Sequence, residues 1–105
     1  KNVRPLVPAD LSKYSPKRNK SYDEIKKLCQ ENNINLIAIT TPICMSTINR
    51  EYFDQIKLVY PEIRSFENAV TDDKYFATCG HMNKDGAIEF TKVVFNAYFK
   101  PKKVN

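Results

Sequence analysis

The sequence predicts an α/β fold, a small parallel sheet in a three-layer α-β-α arrangement. Three observations predict it. The run NLIAITT at residues 35–41 is apolar without alternation and is closed by Pro42, the pattern of a strand covered on both faces. Segments whose apolar residues recur at helical spacing flank that run. A second short strand, IRSF at 63–66, follows the second helical segment, so the order reads α-β-α-β-α. A strand-helix-strand unit of this kind crosses over right-handed and sets its two strands parallel. With 105 residues the chain is expected to make one domain.

Each element has its own local signals. Residues 1–20 hold Pro5, Pro8 and Pro16 among charges, with no regular period, and read as an extended basic arm. The α/β domain is expected over 21–100, followed by a basic tail at 101–105. Ser21 and Glu24 have the spacing of a capping box, so the first helix is predicted to open there. Ile25, Leu28 and Cys29 continue it, and Asn32 with Asn33 can take the left-handed backbone that ends it. Ser46 or Thr47 is expected to cap a second helix carrying Ile48, Tyr52, Ile56, Val59 and Tyr60, which Pro61 stops. A third helix is predicted from about Asn83 to Phe99, with Ala87, Phe90, Thr91, Val94, Ala97 and Tyr98 on its apolar stripe. Phe95 and Phe99 fall on another face and suit a partner surface.

Composition narrows the function classes. Hydrophobic residues at 42% and charged residues at 28% are ordinary for a globular chain, and no run approaches the ~18 apolar residues of a membrane span. The formal charge of +5 raises a nucleic-acid reading. The basic residues crowd toward the ends, Lys1, Arg4, Lys13, Lys17, Arg18 and Lys20 before the first helix and Lys100, Lys102 and Lys103 after the last. No aromatic-and-basic stripe for stacking bases is visible, so the expectation is solvated ends and no nucleic-acid partner. Cys29, Cys44 and Cys79 show no spacing that resembles a zinc or iron-sulfur site, so no metal site is expected. Three thiols cannot all pair, which leaves room for one bridge in an exported protein and none otherwise. The chain opens on Lys1 without a signal peptide, and an origin in a longer sequence is expected.

A strand as apolar as residues 36–39 requires hydrogen-bonded neighbours on both edges, yet one further short strand is all the chain supplies. A homodimer or a complementing chain along the edge of residues 34–41 is therefore expected.

The segment FATCGHMNKDGAIEFT at residues 76–91 resembles the C-terminal block of the SGNH/GDSL hydrolase and acyltransferase superfamily. The common form there is Asp-x-x-His, then x-Asn-x-x-Gly-Ala and a closing helix. His81, Asn83, Gly86 and Ala87 match it. The resemblance implies the C-terminal part of a flavodoxin-like domain over roughly residues 21–99. It implies an esterase or acyltransferase acting at an oxygen on carbohydrate esters, with no cofactor and a cell-envelope or periplasmic setting. His81 takes the position of the catalytic base. Thr78 stands where the family has the aspartate, and Asp72 or Asp73 is a distant substitute. No counterpart of the family's serine or oxyanion residues is present, so the isolated chain is expected to be inactive. The alternative is a non-catalytic protein-interaction module that kept the fold and lost the chemistry. Two local readings compete for the same residues. His81 could simply bond to backbone beside a helix that Asn83 caps, or it could activate Cys79 or Cys44 as a thiol nucleophile.

Overall fold

A computed structural model of the chain describes residues 5–100. The expected tail at 101–105 and the first four residues of the expected arm lie outside the described residues.

Three helices and one hairpin carry the fold. Helix α1 is Lys20–Glu31, α2 is Glu51–Val59 and α3 is Lys84–Tyr98; between the last two stand a 3-10 turn at Asp73–Tyr75 and the strands β1, Phe76–Thr78, and β2, His81–Met82. The α/β character is as expected, but the sheet is not. Its two strands are antiparallel, and a parallel sheet of the flavodoxin-like kind is not formed.

The reason can be followed rung by rung. Residues 35–41 and 63–66 do meet in parallel, through Thr40 N–H to the Arg64 carbonyl at 3.0 Å and Arg64 N–H to the Ala38 carbonyl at 2.9 Å. The next rung would run from Phe66 N–H to the Thr40 carbonyl. That N–H instead bonds to the Thr40 hydroxyl at 2.9 Å, and the ladder stops after a single bridge. A side-chain oxygen has replaced a backbone one.

Helix α1 starts two residues before its sequence signal. The Asn19 side chain accepts from Tyr22 N–H at 2.9 Å, so Asn19 and not Ser21 is the cap. The end follows the signal closely. Asn33 is left-handed at φ 56°, Ile34 N–H bonds to the Cys29 carbonyl at 2.8 Å, and Asn33 N–H bonds to that of Gln30. This pair of bonds satisfies carbonyls that the last turn leaves free. Helix α2 begins at Glu51, with Arg50 before it and no side-chain cap from Ser46 or Thr47. Thr47 is buried instead, its hydroxyl donating to the Cys44 carbonyl at 2.7 Å.

Helix α3 opens on Asn83 as its residues require, with Asn83 Oδ1 accepting from Gly86 N–H at 2.9 Å. Its buried stripe is turned from the expected one. Gly86 and Phe90 are buried and Val93, Val94 and Tyr98 half-buried, while Ala87, Thr91 and Ala97 face outward. The core they meet is Phe66, Val70 and Phe90, with Ile39, Tyr75 and Met82 packed against it. Phe66 stands edge-on to Phe90 at 5.8 Å and to Tyr98 at 6.3 Å. Burying each of these rings contributes roughly 2 kcal/mol.

Residues 9–11 are attached to the domain by a parallel bridge between Asp10 and Ile48, with Leu11 N–H to the Ile48 carbonyl at 3.0 Å and Ile48 N–H to that of Ala9 at 2.8 Å. A disulfide joins Cys44 to Cys79 across 35 positions, and Cys29 is free.

Candidate functional site

Two places hold chemistry-bearing side chains. The first is the turn of the β1–β2 hairpin. A hairpin this short faces its neighbours through the two turn residues, Cys79 and Gly80, and the bridge to Cys44 fixes it to the loop after residue 41. Cys44 N–H also bonds to the Cys79 carbonyl at 2.9 Å. His81 leaves the turn exposed, with Nδ1 at 3.0 Å from the Thr78 hydroxyl. The two side chains at the expected base and aspartate positions are thus in contact. A neutral hydroxyl orients the ring without supplying the negative charge that stabilises an imidazolium.

Cys44 and Cys79 are spent in the bridge, so neither is available as the thiol nucleophile. Asp72 instead caps the 3-10 turn, accepting from Lys74 N–H at 3.0 Å. Beside the hairpin a cleft of about 280 Å³ is lined by residues including Thr40, Thr41, Phe53 and Gly80. Behind Thr40 lies the buried Glu67, whose carboxylate accepts from the Thr40 hydroxyl at 2.5 Å.

The residues that matched the SGNH/GDSL pattern have local reasons to be there. Asn83 caps α3 and also donates from Nδ2 to the Lys74 carbonyl at 2.6 Å. Gly86 lies so close to Tyr75 that a β-carbon would collide with its backbone carbonyl. A helix start pressed onto a turn needs an asparagine and a glycine at this spacing, whatever the chain's ancestry.

The second place was not visible as a motif. Residues 13–27 carry six basic and two acidic side chains, a net +4 of the chain's +5. Tyr60, distant in sequence, folds in beneath them. The Arg18 guanidinium lies over the Tyr60 ring at 4.9 Å, and the Lys26 ammonium is 5.5 Å from the Tyr22 ring centre and 5.4 Å from that of Tyr60. The two tyrosines stand edge-to-face at 4.7 Å. Tyr60 accepts from Asn19 N–H at 2.7 Å and donates to Asp23 at 2.9 Å, which fixes the start of α1 to the end of α2.

Charges around this group are tied in pairs. Arg18 bonds to Asp23 at 2.7 Å, and its guanidinium is held above its usual range mainly by that hydrogen bond. Glu62 accepts from Lys26 and from Tyr22, each at 2.8 Å. The Lys26 hydrogen bond foremost pulls the Glu62 carboxyl down to about 2. Desolvation first, then the bond to Glu62, pushes the Tyr22 hydroxyl up to about 12. Lys13, Lys17, Lys20 and Lys27 are exposed and enter no salt bridge among the described residues. Tyr60 was the missed residue, and only the distance it spans concealed it.

Among the described residues, no group of three or more His, Cys, Asp and Glu side chains could hold a metal ion, and no helix is long and apolar enough to cross a membrane.

No family model matches the chain. No solved structure matches it. A curated protein does, a "Putative pre-16S rRNA nuclease" from Fusobacterium nucleatum, 27% identical over an alignment 105 positions long that covers 89% of this chain and 74% of the relative. That similarity runs nearly end to end, whereas the SGNH/GDSL pattern rested on a few residues about one helix start. It overturns the SGNH/GDSL assignment, and with it the esterase and acyltransferase reading, and it lends the module alternative no specific support. The roles that the resemblance gave to His81 and Thr78 had no other support.

Proposed function

We propose that this chain contacts RNA, binding phosphates through the basic segment at residues 13–27. The observation that carries this is the net +4 within fifteen residues, with four exposed lysines that enter no salt bridge among the described residues set beside a Tyr22–Tyr60 pair. Lysines that neutralise phosphates release counterions, which yields affinity independent of sequence. The Fusobacterium relative, named for a nuclease of an rRNA precursor, supports RNA as the nucleic acid. This replaces the expectation of no nucleic-acid partner.

The test is fluorescence anisotropy with a labelled single-stranded RNA across a salt series. If about four lysines neutralise phosphates, log K falls against log salt with a slope near about −3. Replacing Lys17, Lys20 and Lys27 together with Gln should lower that slope by about 2 and weaken binding at least about tenfold. No binding at low salt and tens of micromolar protein, or equal binding by the triple variant, would overturn the reading.

A further inference from the structure

We propose that the free edge of residues 35–39 pairs antiparallel with the same edge of a second copy of this chain. The backbone sets this up. In an extended strand the N–H and C=O of one residue point to one side and those of the next residue to the other. Ala38 and Thr40 turn theirs toward residues 63–66, as the two bonds to Arg64 show. Asn35, Ile37 and Ile39 must then turn theirs away. Among the described residues, none of those six groups has a hydrogen-bond partner.

Edges of this kind are normally guarded by charge or proline. This one is not, since no charged residue occurs from Asn32 to Asn49. Apolar side chains flank it in the open. Ile25 is 49% exposed, Leu28 59%, Ile34 59% and Leu36 39%. A cavity of about 350 Å³ between α1 and the strand is lined by Cys29, Ile34, Leu36 and Ala38, together with Tyr22, Gln30 and the paired Lys26 and Glu62.

A two-fold axis through Ile37 fits what is there. Ile37 would meet Ile37, and Asn35 would meet Ile39 twice over, so all six free groups on each copy gain a partner. On the α1 side Leu36 of one copy would stand opposite Ala38 of the other, a large residue against a small one beside the cavity. An isologous contact of this kind closes on itself and goes no further.

Light scattering and sedimentation equilibrium at tens of micromolar should give twice the mass of one chain. Hydrogen exchange on the same samples should show the Ile37 and Ile39 amides gaining protection as concentration rises, while that of Thr40 stays constant. Leu36→Lys should return the mass to one chain with an unchanged far-ultraviolet spectrum. A single-chain mass for the wild type would overturn the proposal, as would a dimer whose Ile37 and Ile39 amides exchange at the monomer rate. A dimer that survives Leu36→Lys but is lost in Phe95→Ser with Phe99→Ser would place the contact on α3 and overturn it equally. Should Leu36→Lys fail to fold, the exchange series on the wild type decides by itself.

Discussion

Gly86 has no room for a side chain, and that fact explains more than its place in a motif does. Its neighbour, the Tyr75 carbonyl, cannot retreat, because it accepts from Asn83 N–H at 2.9 Å. Alanine would gain about 1 kcal/mol of helix propensity and lose more to the collision. Gly86→Ala is expected to lower the unfolding free energy by about 1–3 kcal/mol, read from the urea midpoint at constant slope. The titration of Glu62 and Tyr22 makes a second prediction at this scale. Glu62 is lowered in the folded chain, so its contribution is present above its ordinary range near 4.5 and is lost as pH falls toward about 2. Tyr22 is raised, so its contribution is present below about 10 and lost as pH rises through about 12. Solvent screens this partly exposed pair and keeps the effect small. The helical signal of the wild type should decline at both extremes, and Glu62→Gln should flatten the acid decline while weakening helix packing at neutral pH.

Elements were legible where their signals are local and illegible where a competing group intervened. The end of α1 was readable because Asn33 can adopt φ 56° and few residues can. Its start was misplaced because Asn19 and Ser21 are both good caps, and the bond from Asn19 N–H to the distant Tyr60 hydroxyl favours the earlier one. Residues 35–41 were correctly expected to meet 63–66 in parallel, but the Thr40 hydroxyl takes the bond that a longer ladder needs. The hairpin was missed altogether. Its five strand residues carry no alternating pattern, and Cys79-Gly80 was read as part of the approach to α3. Thr78 and His81 touch across a tight turn only three positions apart, whereas Tyr60 lies more than thirty positions from the basic residues it joins. Spacing in sequence reports contacts within an element and across a tight turn, and it is silent about the rest.

The whole molecule is thin, measuring 50 × 43 × 22 Å, and its buried core is small. Covalent closure therefore matters to it more than it would to a thicker domain. A bridge spanning 35 positions stabilises by roughly 4 kcal/mol on the chain-entropy account. Replacing Cys44 and Cys79 together with Ser should remove a comparable amount from the urea unfolding free energy, and reductant should bring the wild type down to the same value. The same bond changes what it means to cut the chain. Residues 44–79 form a ring that contains all of α2, and within it Lys57 and Leu58 are exposed at the end of that helix. Trypsin acting after Lys57 opens the ring without detaching anything. A chain cut there alone should retain its full mass, heavier by one water, and fall into two pieces only when a thiol is added. A protease that scars this molecule in an oxidising medium would leave its parts together, so an intact band on a non-reducing gel would be no proof of an intact chain.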